Sequence, residues 1–297
     1  MKSEWRSSVA CIGTFDGVHL GHQAVIREAV RTAHAGELPC ILVTFDRHPA
    51  SVLSPLKCPK SIASLQNNLL MFQSLGVAAT IVLHFDAELS RMSAERFLRE
   101  ILLGAVRATR VVVGHDFAMG NGREGTPDWL SARLPTYVLP PFEIEGLRVS
   151  SSAIRRLIES GEMSEAAKLL GRPFSIDGIV VGGEKLGRQL GYPTANLARS
   201  FDQVIPPNGI YAGRMKTPYG SFLAATSIGT RPAVGGVEKT IESYLLDYPG
   251  GSLYGSSVEL QLEQRLRDEL NFPSLTDLTD QIASDVNEVR ARLHSAT

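Results

Sequence analysis

The feature that most limits the fold is a change of rhythm near residue 170. Before it, short apolar stretches alternate with amphipathic ones; after it, strand-like stretches follow one another directly. SVACIG (Ser8 to Gly13), CILVTF (Cys40 to Phe45), ATIVLHF (Ala79 to Phe85) and RVVVGH (Arg110 to His115) read as buried strands. HQAVIREAVRTAHAG puts Val25, Ala29, Val30 and Ala33 on one helical face and closes at Gly36; SLQNNLLMFQSLG closes at Gly76, and AERFLREILLG continues the pattern. Alternation of this kind predicts a Rossmann-like α/β domain, a parallel sheet with helices on both faces. Ligands of such sheets bind beyond the carboxyl ends of the strands. GTFDG and VGHDFAMGNGREG, each following a strand, should line that crevice.

In the second half, FSIDGIVVGG, GIYAGRMK, SFLAATSIG, KTIESYLLDY and SSVELQLEQRL are separated by Gly, Pro and Asn turns. That predicts a small antiparallel β-barrel, followed by a C-terminal helix from Ser274 to Leu293. The expected boundary lies at Gly171, giving domains of residues 1–170 and 171–297. Two domains of ordinary size account for 297 residues.

A formal net charge of −1 supplies no basic field for nucleic acid. No apolar run is long enough for a membrane span, and MKSEWRSSVA does not read as a secretory leader. Cys11, Cys40 and Cys58 are scattered and lack a CxxC, which argues against a disulfide framework or structural zinc. The expectation is a cytoplasmic enzyme acting on small molecules, with no nucleic-acid or membrane partner; oligomeric state is left open.

GTFDGVHLGH, Gly13 to His22, carries the first chemical signal. Gly13 and Gly17 allow a tight turn and close approach of backbone to ligand. His19 and His22, separated by Leu20 and Gly21, should share the first turn and one face of the next helix. A helix start offers free N–H groups and partial positive charge, so two imidazoles there could grip a polyphosphate. Asp16 either orients a histidine or caps the turn.

The turn resembles the HxGH signature of the nucleotidyltransferase superfamily. About 130 residues further on, VSSSAIRR (Val149 to Arg156) is similar to that superfamily's second signature, ISSTxIR. There Ser151 or Ser152 can cap a helix and Arg155 can reach a phosphate. GTFDGVHLGHQ, TFDRHP, VVGHDF, SSSAIR and LGRPF together resemble the adenylyltransferase module of the prokaryotic bifunctional riboflavin kinase/FAD synthetases. That resemblance implies transfer of AMP from ATP to FMN. It implies ATP and phosphate contacts at Gly13, Phe15, Asp16, Gly17, Gly21, Ser151 and Ser152, with catalytic charge from His19, His22 and Arg155. Asp46, His48, Asp116 and Phe117 fall where the flavin or adenine would sit.

GEKLGRQLGYPTANL (Gly183 to Leu197) resembles the riboflavin kinase signature GxxxGRxLGFPTAN. Gly183, Lys185, Gly187 and Arg188 then belong to a loop over the ATP phosphates. Thr194 and Asn196, two apart on an extended segment, point the same way and offer hard oxygen ligands for Mg²⁺. NGIYAGRM, SIGTRP and TIESYLLDY complete the resemblance, implying flavin contacts at Asn208, Tyr211 and Arg231 and a catalytic base at Glu242. Family members often read FDPHP, DFRFG and SSTxIR where this chain has Arg47, Ala118 with Met119, and Ser152; Met119 still offers apolar surface to a flavin. The implied function is ATP-dependent phosphorylation of riboflavin to FMN, then adenylylation of FMN to FAD. The alternatives are a chain that keeps one of the two activities, or a flavin-sensing regulator.

Overall fold

The computed structural model describes residues 5–183, 187, 190–233 and 236–294. The chain divides into two compact units, Met1–Ser151 and Ser152–Thr297.

The first unit is built on a five-stranded sheet of order β3-β2-β1-β4-β5, every neighbouring pair parallel. The strands are β1 Ser8–Ile12, β2 Cys40–Phe45, β3 Ala79–Leu83, β4 Ala108–Gly114 and β5 Thr136–Leu139. Alternate side chains divide between two cores, as the two-residue period of a strand requires. Val9, Cys11, Leu42 and Val112 face α1 (Leu20–Ala35) and α2 (Leu65–Ser74), meeting Ile26, Ala29, Ala33 and Phe72. Ala10, Ile12, Val43, Val111 and Val113 face the other way, onto Phe97, Leu98 and Leu102 of a short helix, Ala94–Phe97, that runs into a π-helical stretch, Leu98–Ala105. The buried face of α1 includes Ile26 and leaves Val30 partly covered. Burial pushes the Cys40 thiol up to about 12. Burial also raises Cys11, with Cys40 adding to it, so both thiols stay protonated core groups.

The second unit opens with α3, Ser151–Ser160, and α4, Met163–Leu170, which ends at Gly171 in the left-handed region (φ 76). Met163, Ala166, Leu169 and Leu170 are buried on α4, which packs on β6 (Phe174–Val181) and β11 (Ser257–Arg267). The packing boundary thus lies before these helices, whereas the change of pattern in the sequence lies after them. The other barrel strands are β7 Thr194–Arg199, β8 Gly209–Thr217, β9 Gly220–Ala233 and β10 Gly236–Leu245. They close in the order β8-β9-β10-β7-β6-β11, and each neighbouring pair is antiparallel. Helix α5, Leu275–His294, lays Val286, Val289 and Leu293 against Ala212, Leu223, Ala225 and Tyr244 on the barrel's outer face. Among the described residues no helix is long and apolar enough to cross a membrane.

Two candidate active sites

The turn after β1 is held in an unusual backbone conformation. Phe15, Gly17 and Val18 have φ of 48, 75 and 40°. Left-handed conformations at non-glycine residues persist only where their surroundings fix them, and three contacts do so here. The Phe15 ring meets His22 edge-on at 5.3 Å and Phe72 at 5.7 Å. The Asp16 carboxylate accepts the Ile62 N–H at 3.0 and 3.1 Å and the Ala63 N–H at 3.4 Å, fastening a second loop to the turn. Ser151 donates its hydroxyl to the Asp16 carbonyl at 3.2 Å. A Cβ on Gly17 would lie 2.7 Å from Ile62, so glycine is required there by space as well as by φ.

His19 stands just before α1 rather than in its first turn. Its backbone is extended, and its Nδ1 accepts the His22 N–H at 3.2 Å, so the imidazole itself caps the helix. With Nδ1 accepting, Nε2 carries the proton and is the donor. The His19 and His22 rings stack with centroids 3.5 Å apart and 18° between planes. His19 is buried, at 5% exposure, and His22 is half-buried. A Cβ on Gly21 would come within 3.2 Å of the His19 ring, so glycine keeps that ring where it caps. Among the described residues, the Leu20 and Gly21 N–H groups meet no protein acceptor and remain for an anion.

The other candidates of this unit lie at strand ends. Asp46, after β2, accepts the Phe85 N–H at 3.0 Å and bonds His84 Nδ1 at 2.7 Å. Burial alone would raise its carboxyl, but Phe85, His84 and Arg47 outweigh that and hold it below the usual carboxylate range. His48 Nδ1 accepts the Ala50 N–H at 3.0 Å, capping the short helix that follows. After β4, Arg148 reaches both His115 Nε2 at 2.8 Å and Asp116 at 3.1 Å. Phe117 is half-buried against the core, and Met119, only 6% exposed, is a core residue rather than a surface for a flavin. Two further candidates fall in the second unit, on α3: Ser152 is exposed and Arg155 is buried.

In the barrel, a cavity of about 400 Å³ opens between the outer face of β7 to β10 and helix α5. Tyr192, Thr194, Glu242 and Tyr244 line one side; Leu278 and Ile282 line the other. Glu242 sits opposite Asn196 in the β10–β7 ladder, so Glu242, Thr194 and Asn196 share one face. Thr194 donates its hydroxyl to Glu242 Oε2 at 3.3 Å. Gly183 presses on Asn196, where a Cβ would stand 2.3 Å from Nδ2; at Gly187 a Cβ would stand 2.4 Å from the Tyr192 carbonyl. Asn208 donates to Glu269, a cavity residue, at 2.8 Å and accepts from Lys239 at 2.5 Å. Tyr211 is fully buried; its hydroxyl donates to the Pro207 carbonyl at 2.8 Å, which gives the ring a place in the barrel core. Arg231 is exposed on β9. Lys185 and Arg188 lie outside the described residues.

Two family models match this chain: FAD synthetase over residues 1–153 and riboflavin kinase over residues 170–293. The bifunctional riboflavin kinase/FMN adenylyltransferase of Bacillus subtilis is 33% identical, covering 97% of this chain and 93% of its own. The protein of the same name from Escherichia coli K12 is 34% identical over 96% and 91%. The chain belongs to the bifunctional riboflavin kinase/FMN adenylyltransferase family. A solved structure from Streptococcus pneumoniae, described as a macrolide-efflux protein, has 30% identity and a TM-score of 0.90 over 97% of this chain and 95% of that one. Its likeness extends through both units.

Family motifs led to Glu242, Thr194, Gly187 and the histidine turn, but not to the rest of the two sites. Tyr192 and Tyr244 lie within the strings GEKLGRQLGYPTANL and TIESYLLDY without being singled out by them, and Arg267, Glu269 and the α5 side chains of the kinase cavity carry no such motif. The one available signal is the spacing of Leu278, Ile282 and Asp285, which share a helical face. In the adenylyltransferase unit, His84 and Arg148 join their partners from 38 and 32 residues away, and no local pattern announces either.

Proposed function

We propose that the barrel transfers the γ-phosphate of ATP to the 5′-hydroxyl of riboflavin, giving FMN. The first unit then transfers AMP from ATP to FMN, giving FAD and pyrophosphate. The observation that carries the reading is the Glu242, Thr194 and Asn196 face beside an apolar, aromatic cavity. Glu242 spends Oε2 on Thr194, which leaves Oε1 to accept the proton of an alcohol. Tyr192, Tyr244, Leu278 and Ile282 offer the flat apolar surroundings that an isoalloxazine ring fills. At Gly183 and Gly187 the backbone comes so close to Asn196 and to the Tyr192 carbonyl that a side chain would not fit.

Magnesium suits the same face, because Thr194 and Asn196 supply neutral oxygen donors and Glu242 a carboxylate. This ion takes few protein ligands and completes its shell with water and phosphate oxygens. Bound with ATP, it would neutralise charge on the phosphates. Thr194 and Asn196 would hold it, and Glu242 would take the proton.

In the first unit the nucleophile is a phosphate oxygen of FMN, so no protein nucleophile is required. The His19 Nε2–H, the His22 ring and the amides of Leu20 and Gly21 supply donors for the ATP phosphates as charge builds at the α-phosphate. Ser151 steadies the turn by donating to the Asp16 carbonyl. Asp46, His48, Asp116 and Phe117 border the flavin side of that crevice. A reducing cytoplasm suits the three free cysteines.

Glu242→Gln tests the reading. It should abolish conversion of riboflavin to FMN yet leave conversion of supplied FMN to FAD. Substantial kinase turnover in that variant removes Glu242 from the base role. A flavin sensor, or a chain with one decayed activity, would show neither or one of the two conversions in the parent.

A further inference from the structure

Helix α5 is held unevenly. From Leu275 to Ser284 no side chain is buried; the first buried one is Asp285, at 4% exposure, followed by Val286, Val289 and Leu293. The later turns therefore pack on the barrel, while the earlier turns stand over the cavity, with Leu278 and Ile282 facing it. At the junction, Asp285 takes two bonds from the Arg267 guanidinium, Nε to Oδ1 at 2.9 Å and Nη2 to Oδ2 at 2.6 Å. Gln281, one turn earlier, donates to the same carboxylate at 3.0 Å. Arg267 is fixed in turn, its Nη1 donating to the Asp268 carbonyl at 2.8 Å. Both Arg267 and Asp285 line the cavity.

We infer that Asp285 is a positioning residue for the kinase reaction: through Arg267 it clamps the first turns of α5 as the outer wall of the flavin pocket. The inference rests on the reading of the barrel as a riboflavin kinase. The planar fork matched to a carboxylate fixes orientation as well as distance, which a surface pair of flexible ends does not. Without the clamp, only the partial packing of Ile282 on the barrel cluster still holds these turns at the distance a flat ring needs, because nothing before Asp285 is fully buried. Loss of Asp285 also leaves the Arg267 charge poorly compensated beside the pocket. The wall touches the ring rather than the phosphates, so its loss should weaken riboflavin binding and spare the transfer step. Glu242 and Thr194 stand on β10 and β7 and keep their own bond.

The test uses the full-length protein, with Asp285→Asn and Asp285→Glu measured beside the parent. In Asp285→Asn the KM for riboflavin should rise roughly 10–100-fold, less than the loss of a fully buried charge partner costs because the Arg267 side chain is 20% exposed, with kcat within about threefold and adenylylation of supplied FMN unchanged. Amide exchange over residues 275–284 should quicken in that variant, and saturating riboflavin should slow it again. Asp285→Glu, which keeps the charge, should recover most of the affinity; if Asp285→Asn fails to accumulate folded, Arg267→Lys, which keeps the charge but loses the two-pronged contact, takes its place with the same expected rise in KM and the same overturning results. A riboflavin KM equal to the parent's in folded Asp285→Asn, or a fall in kcat at unchanged KM, overturns the inference. A parent that does not phosphorylate riboflavin overturns instead the reading of the barrel on which it rests.

Discussion

One methyl group at Gly183 should separate stability from activity in the kinase unit. An alanine Cβ there would stand 2.3, 2.6 and 2.7 Å from the Asn196 Nδ2, Cγ and Oδ1 atoms. These contacts are far inside van der Waals range, so something must move, and the end of a short side chain moves most cheaply. Gly183 is not among the glycines with positive φ, so alanine costs no backbone strain. Removing a glycine narrows the unfolded ensemble and is worth about 0.4–1 kcal/mol where the backbone permits it. The melting temperature of Gly183→Ala should therefore stay level or rise slightly. Displacing Asn196 from the face it shares with Glu242 and Thr194 should disturb magnesium binding. Disturbing a metal ligand's setting costs about 10–100-fold, which corresponds to about 1.4–2.7 kcal/mol of transition-state stabilisation. The assay follows FMN formation from riboflavin at several magnesium concentrations. The expected outcome is a 10–100-fold lower kcat/KM, partly recovered at high magnesium, with FMN adenylylation untouched. A folded Gly183→Ala with parental kcat/KM and parental magnesium dependence refutes the placing of Asn196 at the metal.

Further expectations concern other parts of the chain. His22→Ala should let FMN accumulate while FAD formation falls about 10²–10³-fold, the usual cost of one preorganised charge-stabilising group; flavin chromatography shows it, and parental FAD formation would contradict it. A fragment of residues 152–297 should fold, make FMN and make no FAD. A fragment of residues 171–297 should be much less stable, because it lacks the buried Met163, Leu169 and Leu170 of α4, each worth about 1.5–3 kcal/mol. Thermal melts of the two fragments compare them, and equal midpoints would show that α4 adds nothing to the barrel.

The sequence made β1, β2 and β4 legible because their apolar runs are covered on both faces, as Val9 and Cys11 against Ala10 and Ile12 illustrate; β3, an edge strand with Val82 exposed, showed through its apolar run ATIVL alone. It did not yield β5, a short stretch of four residues at the sheet edge, two of them exposed. AERFLREILLG reads as a helix, but the π winding from Leu98 to Ala105 leaves no mark in a 3.6-residue pattern. The HxGH spacing revealed that the two histidines belong together. It did not reveal that His19 would act as the cap, a place more often taken by Ser, Thr, Asp or Asn. Asp46 meets His84 only because Phe45 and Leu83 pair in the β2–β3 ladder and each is the residue before. Such encounters are set by register, which a single chain does not display. The wall of the kinase cavity is of the same kind: the helix was legible, the surface it would cover was not.

The central claim is that one chain carries two successive transfers, and a flavin time course tests it most directly. Purified full-length protein would be incubated with riboflavin, ATP and magnesium, and the flavins separated at intervals. FMN should appear first and FAD after it, with pyrophosphate released in step with FAD. Riboflavin that stays unchanged, or FMN that accumulates without FAD under excess ATP, would contradict it.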